Sequence, residues 1–247
     1  MTLPVFISSA DLQSTQTVVL DGDEGHHAVS VRRIRVGEKI ELTDGNGCRA
    51  VCEVVSVGKK SLEAKIASVT TEPEPDVHFT VVQALAKGDR SDLALEILTE
   101  VGADEIAPWS AAHSIAKWDA TGKGLLKWQR IVREASKQAR RAWIPKVSAL
   151  HSTAQVAQLL AAADLALVLH ESAQDSISAV NVPLTGSVVI VVGPEGGISA
   201  EELRIFTQAG ARAVRMGTSV MRTSTAGGVA LGVLMSATKR WEISASE

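Results

Sequence analysis

Tyrosine is absent from this chain of 247 residues, phenylalanine occurs three times and cysteine only twice. Two cysteines are too few for the disulfide framework of a small secreted domain, and the aromatic content does not suit a platform that stacks single-stranded bases. The first residues lack the basic start and apolar run of a signal peptide, and no apolar stretch approaches the ~18 residues of a membrane helix. The sequence therefore predicts a soluble, cytoplasmic protein.

An excess of positive charge is also missing. The chain has 25 Lys and Arg against 28 Asp and Glu, a formal net charge of −3. This balance excludes a uniformly basic nucleic-acid coat but leaves room for a local basic patch. A hydrophobic fraction of 45% and a charged fraction of 21% are typical of globular proteins.

No pattern of metal ligands is present, because neither C-x-x-C nor H-E-x-x-H occurs and the adjacent His26 and His27 would point to opposite sides of a strand. Cys48 and Cys52 would share one face of a strand. We interpret them as small buried hydrophobic residues and expect no metal.

A segment of proline and acidic residues divides the chain. Residues 71–76 include two prolines and three acidic residues but no apolar residue, which predicts a linker between domains at 1–70 and 77–247. In the first domain, alternation over 39–43 and 62–66, β-branched residues over 50–57 and a turn at 44–47 predict a small β-barrel or closed sheet.

The second domain has a different period. Strands are predicted at 77–86, 164–169 and 188–192, with helices between and after them, including an amphipathic helix at 89–100. This alternation predicts an α/β fold with a doubly wound parallel sheet, whose ligand lies at the carboxyl ends of the strands.

Six cations follow one another at helical spacing. At about 100° per residue they occupy an arc of roughly 140°, separate from an apolar arc of about 100°, so we interpret them as a polyanion-binding stripe rather than an ordinary solvated face. The six are Lys127, Arg130, Arg133, Lys137, Arg140 and Arg141. A second cluster in the first domain contains Arg32, Arg33, Arg35 and Lys39.

A glycine-rich turn follows the strand at 188–192. It is Gly193-Pro194-Glu195-Gly196-Gly197, and Ser199 with Glu202 forms a capping box for the next helix. The turn has neither the Walker nor the dinucleotide-binding spacing, and Pro194 with Glu195 makes it a poor phosphate cradle. It favours a neutral or cationic ligand held by backbone groups. The loops at 170–172 and 216–226 also follow predicted strands, so the three loops are expected to form one crevice.

The order of these motifs resembles that of the RsmE family, the 16S ribosomal RNA (uracil-N3)-methyltransferases of the SPOUT superfamily. The segments that carry the resemblance are 87–90 with 100–102, 134–140, 193–197, 216–217 through 221–223, and, in the first domain, 27–37 and 44–47. The resemblance spans nearly the whole chain, and the order of its motifs is far more specific than any one of them.

The resemblance implies an N-terminal PUA-like β-barrel that binds RNA and a C-terminal SPOUT domain with a trefoil knot. It also implies a homodimer, S-adenosylmethionine as methyl donor, and 16S ribosomal RNA as partner, within the small ribosomal subunit, with a uridine of the decoding region as target. The implied cofactor-binding residues are Leu169, His170, Glu171, Gly193, Pro194, Glu195, Gly196, Gly197, Met216, Gly217, Val220 and Met221. Together with the basic clusters described above, the predicted RNA-binding residues are Arg32, Arg33, Arg35, Lys87, Arg130, Arg133, Lys137, Arg140 and Arg141.

Methylation at N3 requires loss of the imide proton and stabilisation of the charge left on O2 and O4 of an unpaired uracil. We assign this stabilisation to Arg222, with a plain phosphate contact as the alternative. Glu195 and His170 are candidate general bases, and Glu195 alternatively offsets the sulfonium charge. The chain departs from the family pattern at Ser224, where a glutamate is usual, and at Pro4-Val5, which stands where an arginine usually precedes the first phenylalanine.

Two other functions stay open. One is methylation of a ribose 2′-hydroxyl by an enzyme of the same superfamily, and the other is a non-catalytic RNA-binding factor in ribosome assembly. The predicted last helix, 225–241, contains Gly227, Gly228 and Gly232. Because glycine weakens a helix, we expect its backbone to approach another element closely, either in the core or at a dimer seam.

Overall fold

The computed structural model describes residues 2–118 and 121–242. The chain forms two compact units, one made of the residues up to Glu74 together with Ser136–Ile144, the other of Pro75–Ala135 and the residues from Pro145 onward. The division after Glu74 lies among the residues predicted as a linker. Segment 136–144, which the sequence assigned to the second domain, belongs instead to the first unit.

The first unit is a small β domain. Its elements are β1 (Val5–Ile7), β2 (Thr17–Leu20), α1 (Gly22–His26), a π-helical turn (His27–Val31), β3 (Lys39–Thr43), β4 (Cys48–Val57) and β5 (Leu62–Thr71). The strands lie in the order β1-β3-β4-β5-β2, with β1 parallel to β3 and the other pairs antiparallel.

Strand β4 shows how the sequence produces this sheet. Cys48, Ala50, Cys52 and Val54 alternate with more exposed residues, so one face of the strand enters the core beside Phe6. Both cysteines are buried and free, which confirms their interpretation as small hydrophobic residues.

Segment 136–144 is held by the turn between β3 and β4. The amide of Ile144 donates to the carbonyl oxygen of Gly45 (2.9 Å), and the amide of Gly47 donates to that of Ala142 (3.1 Å). Gly47 has a φ of +93°, and a Cβ placed there would lie 2.6 Å from the ring of Trp143. The predicted turn between β3 and β4 therefore also binds segment 136–144, which is distant in the sequence.

The second unit is built on a parallel sheet. Its elements are β6 (Val77–Ala84), α2 (Asp89–Val101), β7 (Glu105–Trp109), α3 (Lys123–Gln138), β8 (Lys146–Val147), α4 (Thr153–Ala162), β9 (Leu165–Leu169), β10 (Asp175–Ser176), β11 (Gly186–Val192), α5 (Ala200–Gln208), β12 (Arg212–Arg215) and α6 (Thr223–Met235). The seven strands lie in the order β10-β12-β9-β11-β6-β7-β8, and the pairs described between them are parallel.

Helices cover both faces of this sheet. Val189 and Val191 of β11 lie in a core cluster with residues of α4 and α5, including Phe206. Val192 points to the opposite face because side chains alternate along a strand, and its methyl group is 3.1 Å from a Cβ built on Gly227 of α6. The predicted doubly wound α/β architecture is thereby confirmed.

The prediction that six cations form an exposed stripe on one helix is wrong for three of them, Lys137, Arg140 and Arg141. Helix α3 ends at Gln138, and Arg140 has a φ of +54°, so Arg140 and Arg141 lie beyond the helix. Lys137 is buried, and its ammonium group forms a 3.0 Å ion pair with the carboxylate of Glu24 in the first unit.

Among residues 2–118 and 121–242, no helix is both long and apolar enough to cross a membrane.

Candidate active site

A cavity of about 500 Å³ lies at the carboxyl ends of β9, β11 and β12. These strands are neighbours in the parallel sheet, so the loops that follow them emerge at the same edge. The volume falls within the ~300–1,000 Å³ of typical small-molecule sites. Every residue predicted to bind the cofactor lines this cavity: Leu169, His170, Glu171, Gly193, Pro194, Glu195, Gly196, Gly197, Met216, Gly217, Val220 and Met221. Arg222 lines it as well.

Two glycines of the turn after β11 have no space for a side chain. A Cβ on Gly193 would lie 2.7 Å from the side chain of Ile198, and one on Gly196 would lie 2.8 Å from Cβ of His113. The imidazole Nδ1 of His113 also lies 3.0 Å from the carbonyl oxygen of Gly196. The wall that this turn contributes to the cavity is therefore largely main chain, as the composition of the turn predicted.

The predicted capping box of Ser199 and Glu202 is confirmed, and Glu202 also bonds to two other segments. The hydroxyl of Ser199 accepts from the amide of Glu202, and the Glu202 carboxylate accepts from the amide and the hydroxyl of Ser199. The other carboxylate oxygen of Glu202 accepts from the amide of Ala112 (2.7 Å) and from the hydroxyl of Thr153 (3.2 Å). One buried side chain thus joins the start of α5 to two other segments.

Glu195 connects the glycine turn to the loop before α2. Its Oε1 accepts from the amide of Lys87 (3.2 Å) and lies 3.7 Å from the guanidinium of Arg90. These contacts connect the Glu195 side chain to residues 87 and 90, beside the cavity that Glu195 lines.

His170 is held by the residue two positions later. Its Nδ1 accepts from the amide of Ser172 (3.3 Å) and lies 2.9 Å from the Ser172 hydroxyl. A ring nitrogen that accepts from a backbone amide carries no proton, so the proton of the neutral ring lies on Nε2. This arrangement does not support His170 as the general base.

Thr223 lines the cavity but is absent from the predicted site residues, as are Arg90 and Arg215. Its hydroxyl donates to the carbonyl oxygen of Gly193 (2.7 Å) and accepts from Nε2 of Gln83 (3.0 Å). The chain of contacts joins β6, the glycine turn and the start of α6. A glutamine near the end of an apolar strand is the signal that points to it, because a buried amide needs polar partners.

The start of α6 presents the chain's departure from the family pattern. Arg222, directly before α6, and Thr223 both line the cavity. Ser224 is buried within the first turn of the helix and is not among the cavity-lining residues that the structure describes. Position 224, where the resemblance leads us to expect a glutamate, therefore contributes no charge to the site.

Two family models match the chain. A model described as an RNA methyltransferase domain matches residues 72–235, and one described as an RNA methyltransferase PUA domain matches residues 20–67. The ribosomal RNA small subunit methyltransferase E of Mycobacterium bovis is 47% identical over 235 residues, covering 93% of this chain and 90% of the relative. The Bacillus subtilis protein of the same name is 31% identical over 230 residues, covering 89% and 90%.

The chain belongs to the RsmE family. Two solved structures agree with this membership. The Neisseria gonorrhoeae ribosomal RNA small subunit methyltransferase E bound to S-adenosyl methionine is 28% identical, with a TM-score of 0.86 and coverage of 95% of this chain and 98% of that one. A methyltransferase structure from Legionella pneumophila with bound cofactor SAM is 27% identical, with a TM-score of 0.88 and coverage of 96% and 99%.

The residues of the cavity fit S-adenosylmethionine, the cofactor bound in these two structures. S-adenosylmethionine combines an apolar, hydrogen-bonding adenosyl group with a cationic sulfonium and a charged amino-acid end. The cavity supplies apolar side chains (Leu169, Val192, Ile198), two carboxylates (Glu171, Glu195), three guanidinium groups (Arg90, Arg215, Arg222) and the backbone of two loops. Among the described residues, no group of three or more His, Cys, Asp or Glu is arranged to hold a metal ion.

The predicted RNA-binding residues of this RsmE-family chain are divided between the units. Arg32, Arg33, Arg35, Lys137, Arg140 and Arg141 belong to the first unit, whereas Lys87, Arg130 and Arg133 belong to the second. Arg32, Arg33, Arg35, Lys87 and Arg130 are exposed, Arg133, Arg140 and Arg141 are half-buried, and Lys137 is buried. The predicted RNA-binding residues therefore belong to two units and differ in their exposure to solvent.

Proposed function

We propose that this protein transfers a methyl group from S-adenosylmethionine to N3 of a uridine in 16S ribosomal RNA. The observation that carries the proposal is the convergence of the three cofactor loops and Arg222 on one cavity of about 500 Å³. Membership of the RsmE family supports the reaction and the class of RNA. Such an enzyme would act in the cytoplasm, where small-subunit RNA is found.

The bound cofactor supplies an electrophilic methyl group on a cationic sulfonium. The backbone of the glycine turn and of the Met216–Met221 loop would bind the adenosyl part, while Glu171 and Glu195 would attract the positive charge. Thr223 fixes the Gly193 carbonyl and thereby the shape of the turn. These contacts would orient the methyl donor, and correct orientation of the reacting groups lowers the activation barrier.

Arg222 would act on the uracil. Loss of the N3 proton leaves negative charge on O2 and O4, and a guanidinium placed beside the base stabilises that charge more strongly in the transition state than in the ground state. The target base must be unpaired, because N3 lies on its pairing edge. A phosphate contact is the competing role for Arg222.

We also propose that the protein acts as a homodimer with the knotted topology of its superfamily, on RNA within the small subunit. Helix α6 supports the dimer, since Val229 and Val233 are 42% and 36% exposed and Trp241 just beyond it is 52% exposed. Exposed apolar side chains on a helix next to a binding cavity suit a second copy of the chain.

The function is tested by incubating the protein with labelled S-adenosylmethionine and either naked small-subunit RNA or assembled subunits, then locating the methyl group by mass analysis of nucleosides. We expect 3-methyluridine. A methylated ribose would favour the 2′-hydroxyl enzyme instead. Failure to bind S-adenosylmethionine in calorimetry would favour a non-catalytic RNA-binding factor.

Arg222→Ala tests the catalytic assignment. Removal of one charge-stabilising donor from an active site typically costs 10²- to 10³-fold in turnover, so we expect a loss of that size with RNA affinity retained. Arg222→Lys keeps the charge and should retain part of the activity. Equal losses of turnover and RNA affinity would show that Arg222 is a phosphate contact.

A further inference from the structure

A second, smaller cavity lies wholly within the first unit. It measures about 170 Å³, well below the ~300 Å³ at which pockets accept drug-sized ligands, so it has room only for a small group. Its walls are the N-terminal segment Thr2–Phe6, the two ends of segment 27–32, and the end of α3 with the turn that follows. None of the predicted cofactor residues contributes to it.

A backbone hydrogen bond brings His27 and Arg32, the first and last residues of segment 27–32, close together. The amide of Arg32 donates to the carbonyl oxygen of His27 (2.9 Å), a hydrogen bond across five residues that closes the π-helical turn. Single π turns of this kind occur frequently at functional sites. The ring of His27 is fixed by an edge-on contact with Phe6, with 6.0 Å between the ring centroids.

The charge on the walls has one sign. Arg32, Lys137 and Arg140 line the cavity, and among its described lining residues there is no Asp or Glu. Lys137 is neutralised by Glu24 at 3.0 Å, with side-chain exposures of only 4% and 10%. The guanidinium of Arg140 donates to the carbonyl oxygen of Leu3 (2.5 Å), a neutral partner that leaves its charge in place. Two guanidinium charges therefore act on the cavity.

Neutral donors complete the lining. Thr2, Gln138 and His27 also line the cavity, and their side chains carry a hydroxyl, an amide and an imidazole group. Guanidinium groups bind phosphate oxygens through paired N–H donors, and hydroxyl and amide groups donate to the remaining oxygens. The size, the sign of the charge and the donors together match one tetrahedral oxyanion.

We propose that this cavity binds a single phosphodiester group of the RNA backbone, with Arg32 and Arg140 as the charged contacts. The proposal rests on the proposed RNA substrate and adds to it a defined anchor outside the methyl-transfer site. A phosphate contact carries no sequence information but fixes the register of the RNA. Lys137 lines the cavity as well, with its ammonium group paired to the carboxylate of Glu24.

The direct test is titration of the whole protein with inorganic phosphate, monitored through the ring resonances of His27 by NMR. Wild-type protein should show saturable shifts. Arg32→Ala should abolish them, whereas Lys65→Ala, which removes an exposed cation of the same unit outside the cavity, should leave them unchanged. Arg32 is exposed, so its truncation leaves the core packing intact. Absence of saturable shifts in the wild type would overturn the proposal.

The second arm measures RNA affinity against salt concentration. Loss of one phosphate contact lowers the slope of log K against log salt by about 1, and we expect this decrease for Arg32→Ala but not for Lys65→Ala. An unchanged slope in Arg32→Ala would mean that the cavity does not hold RNA phosphate, even if inorganic phosphate binds. Binding of S-adenosylmethionine and methylation by the wild type are scored separately, so failure of the proposed function is distinguishable from failure of this site.

Discussion

Thr223 is one hydroxyl group that two distant parts of the second unit share. It donates to the glycine turn after β11 and accepts from Gln83 of β6. Thr223 belongs to segment 221–223, which carries the family resemblance, and Gln83 stands near the end of an apolar strand, but the sequence does not connect the two. The role of Thr223 depends on which carbonyl lies within reach of its hydroxyl, and no periodicity contains that information.

Thr223→Val should weaken binding of S-adenosylmethionine about tenfold, equivalent to ~1.4 kcal/mol, because one buried hydrogen bond to the glycine turn is lost. Isothermal titration calorimetry measures the change. Thr223→Ser keeps the hydroxyl and should keep the affinity. Thr218→Val is the matched control, since Thr218 is exposed and lies in the same loop without lining the cavity. Equal losses in the Thr223→Val and Thr218→Val variants would refute the positioning role.

Cys52 gives the fold a specific dependence on alkaline pH. Burial raises the pKa of its thiol from 9.0 to about 11. Between these values the unfolded chain has lost the proton that the folded chain retains, so the free energy of unfolding must fall as pH rises from about 9 to about 11. Below that window the contribution is fully present.

The measurement is urea denaturation of wild type and Cys52→Ala across this range. The wild type should lose more stability than the variant as pH rises, because the variant lacks the titrating thiol. Parallel curves for the two proteins would contradict the expectation. Reaction with a thiol reagent at neutral pH should likewise be negligible until the protein is unfolded.

At the scale of elements, apolar periodicity predicted the main strands and the amphipathic helices well. The sequence extended the basic helix to Arg141, but α3 ends at Gln138 and Arg140 takes a left-handed conformation that glycine or asparagine usually fills. No glycine or proline marks this helix end. Local patterning therefore had no means of separating Lys137, Arg140 and Arg141 from the exposed part of the stripe.

The close approach expected of the last helix is confirmed where α6 meets α2. A Cβ built on Gly228 would lie 2.2 Å from Cγ2 of Ile97, and one on Gly227 would lie 3.1 Å from the side chain of Leu98. The helix ends earlier than the predicted residue 241, at Met235, and a short 3₁₀ turn (Lys239–Trp241) follows it.

Gly228→Ala should destabilise the protein. Alanine gains ~1 kcal/mol in helix propensity, but the new methyl group overlaps a stiff β-branched side chain, and overpacking of this kind costs about 1–3 kcal/mol. Differential scanning calorimetry should show a lower Tm. Gly232→Ala is the control, since its nearest contact is 3.3 Å from Trp241, and it should change Tm little. A rise in Tm for Gly228→Ala would show that α2 and α6 separate without penalty.

At the scale of the whole molecule, the order of motifs was more informative than any single one. It predicted the family and the α/β architecture, and it predicted which residues line the main cavity. The resemblance did not reveal the cavity of the first unit or the return of segment 136–144 to that unit. Both depend on contacts between residues far apart in sequence, which neither composition nor local spacing encodes.

The homodimer is tested by sedimentation velocity at micromolar protein. We expect a dimer for the wild type and a shift toward monomer for Val233→Glu, because a carboxylate on the exposed side of α6 would be desolvated at a helix interface. Val36→Glu is the control, since Val36 is a 60% exposed residue of the first unit and should leave the dimer intact. A monomeric wild type would exclude the dimer.

The ion pair between Lys137 and Glu24 joins residues 113 positions apart, and this separation has a consequence for biosynthesis. When the residues up to Glu74 have left the ribosome, segment 136–144, which completes the first unit, has not yet been made. The unit therefore completes its fold only after residue 144 has been made, while much of the second sheet is still untranslated. Because the first unit includes a segment that lies after part of the second unit in the sequence, the two units cannot fold in strict order from the N-terminus.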